Sequence, residues 1–173
     1  MALVVFLRGV NVGGHRTFRP AILAQQLKRY GAVNIGAAGT FVIRAPTSPA
    51  QLRAELRRRL PFETHVMICR GREILDIVSG DPYGDEPLGA GVVRFVSVLP
   101  KSPRVFPSLP VDLPADGSWL VRIVARDNRF VFGKYRRHMK TIGYLGKMDK
   151  IFGMPATTRN WNTITAIVKV LTA

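Results

Sequence analysis

The order of elements in the first 80 residues constrains the fold of this chain more than any other feature. Residues 2–8 are an apolar run with the composition of a buried strand. Residues 20–30 carry Ile22, Leu23, Gln26 and Leu27 at helical spacing, and Gly31 is placed to end that helix. Residues 33–35 and 40–43 read as short strands joined through the hairpin Gly36-Ala37-Ala38-Gly39. The second helix has the clearest start signal: Ser48 as N-cap, Pro49 at the first helical position and Gln51 three residues after the cap. Leu52, Leu56 and Leu60 form its apolar stripe, Arg53, Arg57, Arg58 and Arg59 cover its other faces, and Pro61 stops it. Residues 65–70 are a fourth strand and 72–78 a short helix. Strand, helix, strand, strand, helix, strand is the split βαβ order of ferredoxin-like folds, in which two helices cover one face of an antiparallel sheet. The other face must find cover or stay wet.

After residue 79 the composition changes. Gly80-Asp81-Pro82-Tyr83-Gly84-Asp85-Glu86-Pro87 is rich in turn formers and acids, and residues 80–91 read as a connector. Residues 92–99 are a strong strand, and prolines at 100, 103, 107, 110 and 114 exclude a long helix after it. Residues 119–125 and 130–132 form a hairpin around Asp127-Asn128, 144–152 a helix, 156–159 an extended piece, and 162–171 a final helix. The expected organisation is α+β: a ferredoxin-like half over residues 1–79, the connector, and a second α+β half over 92–173. The second half reads as a degraded copy of the first, with antiparallel strands and its first helix lost. No repeat is visible residue by residue, so the duplication rests on element order alone.

A chain of 173 residues can bury about 70% of its unfolded surface, enough for a core without staples. Cys69 is the only cysteine, which excludes an internal disulfide and a cysteine metal cluster; it sits in an apolar strand and reads as a core thiol. His15, His65 and His138 lack metal-ligand spacing, so neither a metal nor a cofactor is expected. No apolar run reaches membrane-spanning length and no leader pattern is visible, which gives the expectation of a cytoplasmic protein without a membrane partner.

Charge is the dominant compositional fact, at +15. Residues 1–80 hold 12 basic and 4 acidic residues and 119–173 hold 11 and 2, while 81–118 reverse the sign with 3 and 5. Two basic regions thus flank a near-neutral connector, a field that attracts polyanions, phosphorylated ligands or acidic proteins. Arginine outnumbers lysine, as it would on the ordinary surfaces of an arginine-rich proteome, but such a proteome need not be short of acids.

Three stretches carry candidate chemistry. The first strand runs into Arg8-Gly9-Val10-Asn11-Val12-Gly13-Gly14-His15, a glycine corner whose backbone N–H groups can approach an anion, although it matches neither a P-loop nor a dinucleotide fingerprint. Arg159, Asn160 and Trp161 precede the last helix, whose N-terminus favours an anion; the alternative is a capping asparagine, a core tryptophan and an internal arginine pair. Lys134-Tyr135-Arg136-Arg137-His138-Met139-Lys140 interleaves an aromatic with cations, as single-stranded nucleic acid requires; the alternative is a solvated basic loop. No paired carboxylate or nucleophile–base arrangement can be named, so catalytic residues are unassigned and enzyme status is open.

The motifs Leu7-Arg8-Gly9-Val10-Asn11-Val12-Gly13-Gly14 and Thr158-Arg159-Asn160-Trp161-Asn162-Thr163-Ile164-Thr165 resemble the N- and C-terminal signatures of a bacterial family known as domain of unknown function 1697. The resemblance implies two ferredoxin-like halves and no established activity. The chain departs from the family pattern at its first hairpin turn, where Ala38-Gly39-Thr40 stands in place of Ser-Gly-Asn, and in its proline-rich stretch after the fifth strand.

The leading expectation is a small non-enzymatic protein that binds nucleic acid or another polyanion through Lys134, Tyr135, Arg136, Arg137 and Lys140. The alternatives are an enzyme acting on a phosphorylated small molecule at the glycine corner, and an interaction scaffold. Arg8, Asn11, Gly13 and Gly14 are further expected to meet Arg159, Asn160 and Trp161 in one ligand site. Oligomeric state is open.

Overall fold

The computed structural model describes residues 1–10 and 18–173. The chain divides into two compact units, residues 1–76 with 162–173, and residues 77–161. The expected partition kept the final helix with the second half; by contacts all of it except Trp161 groups with the first unit.

The first unit follows the expected element order. Strand β1 (Leu3–Leu7) leads through helix α1 (Pro20–Gln26) to β2 (Ala32–Ile35), and α1 is continued by a 3-10 turn that ends at left-handed Gly31. A hairpin gives β3 (Thr40–Ile43), followed by α2 (Pro49–Arg59), β4 (Val66–Arg70) and α3 (Gly71–Ser79). The sheet order is β2-β3-β1-β4, all antiparallel, with Val4 opposite both Val42 and Cys69. The capping expectation holds: the Ser48 hydroxyl accepts from the Gln51 N–H at 3.1 Å. Leu3, Val5, Leu7, Phe41, Ile43 and Ile68 meet Leu23, Leu27, Leu52 and Leu56 in one core. The opposite face, Val4, Phe6, Thr40, Val42, Met67 and Cys69, is buried as well. Only glycine suits position 39, at φ +86°, because a Cβ there would lie 2.6 Å from Val10 Cγ2 and 2.9 Å from Leu7 Cβ.

The second unit repeats this topology with an added edge. Its strands are β5 (Val92–Val98), β6 (Val111–Leu113), β7 (Val121–Asp127), β8 (Phe130–Arg136) and β9 (Thr157–Asn160), in the order β6-β7-β8-β5-β9. With β6 set aside, this is the strand order of the first sheet. The helix expected over 144–152 is instead two short ones, α4 (Thr141–Leu145) and α5 (Met148–Phe152), separated at Gly146-Lys147. Where the first unit has α1, the proline-rich stretch supplies β6 against β7, an edge strand that the prolines themselves did not reveal. Phe95, Leu99, Val121, Ile123 and Val131 form the core with Met148 and Phe152. Helix α6 (Trp161–Leu171) follows β9 directly, as α3 follows β4.

Candidate functional site

The second sheet carries charge on the face turned away from Met148 and Phe152. Register sets it there. Arg94 on β5 lies opposite Lys134 on β8, Lys134 opposite Arg122 on β7, and Arg122 opposite Asp112 on β6. Directly opposed side chains share a face, and like charges so placed repel. Carboxylates answer the repulsion from both sides. Asp112 accepts two hydrogen bonds from the Arg122 guanidinium, at 2.7 and 3.0 Å. That guanidinium holds the Asp112 carboxyl below its ordinary range. From the connector, Glu86 accepts from Lys134 Nζ at 2.7 Å. The Lys134 ammonium, aided by the fields of Arg122 and Arg94, likewise lowers the Glu86 carboxyl. Arg94 donates to the Glu86 backbone carbonyl at 2.8 Å and lies 5.2 Å above the Tyr83 ring, while its buried Nε has no hydrogen-bond partner among the described residues. Tyr83 donates to the Phe95 carbonyl, and burial raises its phenol well above the usual value, so it remains a neutral donor.

At the other end of the row, Arg122 also lies 5.0 Å from the centre of the Trp119 ring, and Arg136 lies 4.1 Å from it. The half-buried indole therefore orients two guanidiniums. The chain then leaves the sheet through Arg137, His138, Met139 and Lys140, all exposed, with Met139 at 87% and Ile142 at 79%. Thr141 ties this exit back by donating to the Arg136 carbonyl at 2.6 Å. Lys147 Nζ stands 5.1 Å over the Tyr144 ring.

The basic run named from the sequence is thus split by its strand. Lys134 is 7% exposed and engaged with Glu86. Tyr135 turns to the opposite face, toward Phe95 at 6.1 Å. Arg136 meets Trp119, and Arg137 and Lys140 are open to solvent. Phe130 and Phe132 are buried; Phe132 contacts Tyr83 and Trp161, so neither offers an open stacking face. Trp119, Arg122 and Arg94 were not singled out in the sequence, where only their shared region could have flagged them. Glu86 reads there, with Asp81 and Asp85, as a solvated turn residue of the connector, whereas it pairs with Lys134.

Arg159 is 8% exposed on β9, opposite Val96, and donates to the Thr158 carbonyl at 3.0 Å. Burial pulls its guanidinium down to about 10. Trp161 packs edge-on against Tyr83 at 5.1 Å, and Asn160 ends the strand exposed. Arg8 is half-buried at the end of β1, where its N–H donates to the His65 carbonyl at 3.1 Å and its carbonyl accepts from Thr64. Asn11, Gly13 and Gly14 lie outside the described residues, and Arg8 and Arg159 belong to different units. In the first unit a cavity of about 580 Å³ is lined by Arg57, Phe62, Glu63, Thr64 and His65. Among the described residues, no group of three His, Cys, Asp or Glu side chains could hold a metal ion, and no helix is long and apolar enough to cross a membrane.

The pattern of a family described as a protein of unknown function (DUF1697) matches residues 1–107. Among solved structures, the conserved bacterial protein SP0830 from Streptococcus pneumoniae is similar to this chain, with 16% sequence identity, 98% of each chain covered and a TM-score of 0.61. At that identity the likeness is one of fold. No curated protein matches the chain.

Proposed function

From a chain that belongs to the DUF1697 family, whose description assigns no activity, we propose a non-enzymatic protein that binds single-stranded nucleic acid through its second unit. The observation that carries this reading is Trp119 with Arg136 and Arg122 against its ring, at 4.1 and 5.0 Å, next to exposed Arg137 and Lys140. Guanidiniums held against an indole lose less freedom when they meet a phosphate or a base plane than free ones do. The formal charge of +15 supplies the long-range attraction. Of the five residues first named for this role, Arg136, Arg137 and Lys140 stand on or beside this platform, Lys134 is paired with Glu86, and Tyr135 turns to the opposite face. Mobility shifts with short single- and double-stranded oligonucleotides at two salt concentrations test the reading. Binding of the single strand, falling steeply with salt as counterions are released, is expected. Arg136→Ala should weaken it on every sequence, because phosphate contacts carry no base preference. No binding at low salt overturns the proposal.

A second reading keeps the first unit in view. An enzyme acting on a phosphorylated small molecule, first placed at the glycine corner, is the alternative, and the cavity beside Arg57 and His65 offers it a second place among the described residues. A saturable thermal shift with a nucleotide or sugar phosphate, weakly dependent on salt, would favour it over the polyanion reading.

A further inference from the structure

We propose that Arg94, Lys134 and Arg122 form a phosphate subsite that the Glu86 carboxylate holds closed, so that the acidic connector competes internally with the polyanion. The inference rests on the nucleic-acid reading and adds its regulation. Three cations stand side by side on adjacent strands, one of them buried. Asp112 is fully engaged by the fork of Arg122, which leaves Glu86 as the carboxylate for the rest of the row.

Glu86 matches that task poorly. It is 69% exposed, and its carboxylate meets Lys134 through one oxygen. Arg94 donates to the Glu86 backbone carbonyl rather than to its carboxylate, and among the described residues its buried Nε has no acceptor. A phosphodiester is not tethered to the connector backbone as the Glu86 carboxylate is, so its two non-bridging oxygens can take the Lys134 ammonium and Arg94 Nε together. The Glu86 side of this pair is open to water, where salt screens it and a polyanion can compete for the Lys134 ammonium. The subsite is continuous with the Trp119 platform, because the Arg122 guanidinium takes part in both. A strand bound at Trp119 would therefore extend along the row once Glu86 swings into water.

The test compares wild type, Glu86→Gln, Glu86→Gln with Lys134→Met, and Asp127→Asn. The last adds the same charge at the exposed far end of β7. Mobility shifts use an oligothymidylate across a salt series, and calorimetry uses inorganic pyrophosphate. Thermal melts verify that each variant folds. Glu86→Gln should bind the oligonucleotide several-fold more tightly, with a log–log salt slope steeper by about one. It should also bind pyrophosphate saturably. Lys134→Met should cancel both gains. If Glu86→Gln gains no more than Asp127→Asn and binds no pyrophosphate, the subsite is overturned while the nucleic-acid reading stands. If no variant binds the oligonucleotide, that reading falls, and saturable pyrophosphate binding confined to Glu86→Gln alone would sustain the subsite as a site for smaller phosphates.

Discussion

The two sheets share a strand order and differ in what they place on the face away from their flanking helices. In the first, Val4, Phe6, Thr40, Val42, Met67 and Cys69 make that face uncharged and buried over β1, β3 and β4, with Val33 and Ile35 of β2 half-buried at its edge. In the second, the apolar rows of Val98 with Phe130 and Val96 with Phe132 give way to Arg94, Lys134 and Arg122. Topology follows from the apolar period and the connections, and both sheets satisfy it. Function follows from what stands on the remaining face. β1 is buried at all five positions, whereas β5 is buried only over its last four residues, and Arg94 sits in its half-buried start. The second sheet can carry a charged row because connector residues neutralise part of it, an arrangement with no counterpart among the described residues on the corresponding face of the first.

The strongest way to break this contrast is in the first core. Phe41→Ala deletes a fully buried ring and should cost about 3–5 kcal/mol in denaturant unfolding. A loss under about 1 kcal/mol would mean that the apolar sheet is not what stabilises its unit. Gly133→Ala strikes the second sheet. A Cβ there would lie 2.3 Å from Phe95 Cζ and 2.7 Å from the Arg122 carbonyl oxygen, so about 1–3 kcal/mol should be lost through overpacking. Near-UV circular dichroism should change as the Phe95 ring moves; an unchanged spectrum and midpoint would argue against this register.

Ser48→Ala should cost about 1 kcal/mol by removing the cap of α2, and it leaves both sheet faces untouched. An unshifted denaturant midpoint would place the start of that helix elsewhere. The smallest effect concerns the edge of the charged row. The folded state lowers the Asp112 carboxyl, so its contribution is present above the ordinary carboxylate range and is lost as pH falls through the folded value. Asp112→Asn should therefore be less stable than wild type at pH 7, by about 0–1 kcal/mol for a pair this exposed, and the two should converge in acid. A difference that persists undiminished at pH 2 would assign the effect to packing rather than charge.

Much of the fold was legible because its signals are local. Ser48-Pro49 starts a helix, Gly31 takes the left-handed conformation that ends one, and Asn128 at φ +55° turns the β7–β8 hairpin, each through its own backbone chemistry. The apolar periods of residues 2–78 determined a split βαβ unit, since those six elements bury their faces with few other arrangements. What the sequence could not decide was which cations share a face and what lies over them. A shift of one residue in pairing reverses every side chain of a strand, and register depends on partners distant in the chain. Tertiary structure alone therefore separated Tyr135 from Lys134 and Arg136, placed Trp119 between Arg122 and Arg136, and laid Glu86 on Lys134 from 48 residues away. It also decided that Phe132, on the face where a nucleic acid could have stacked, is covered by Tyr83 and Trp161, because those rings bury more apolar surface against it than solvent exposure would allow.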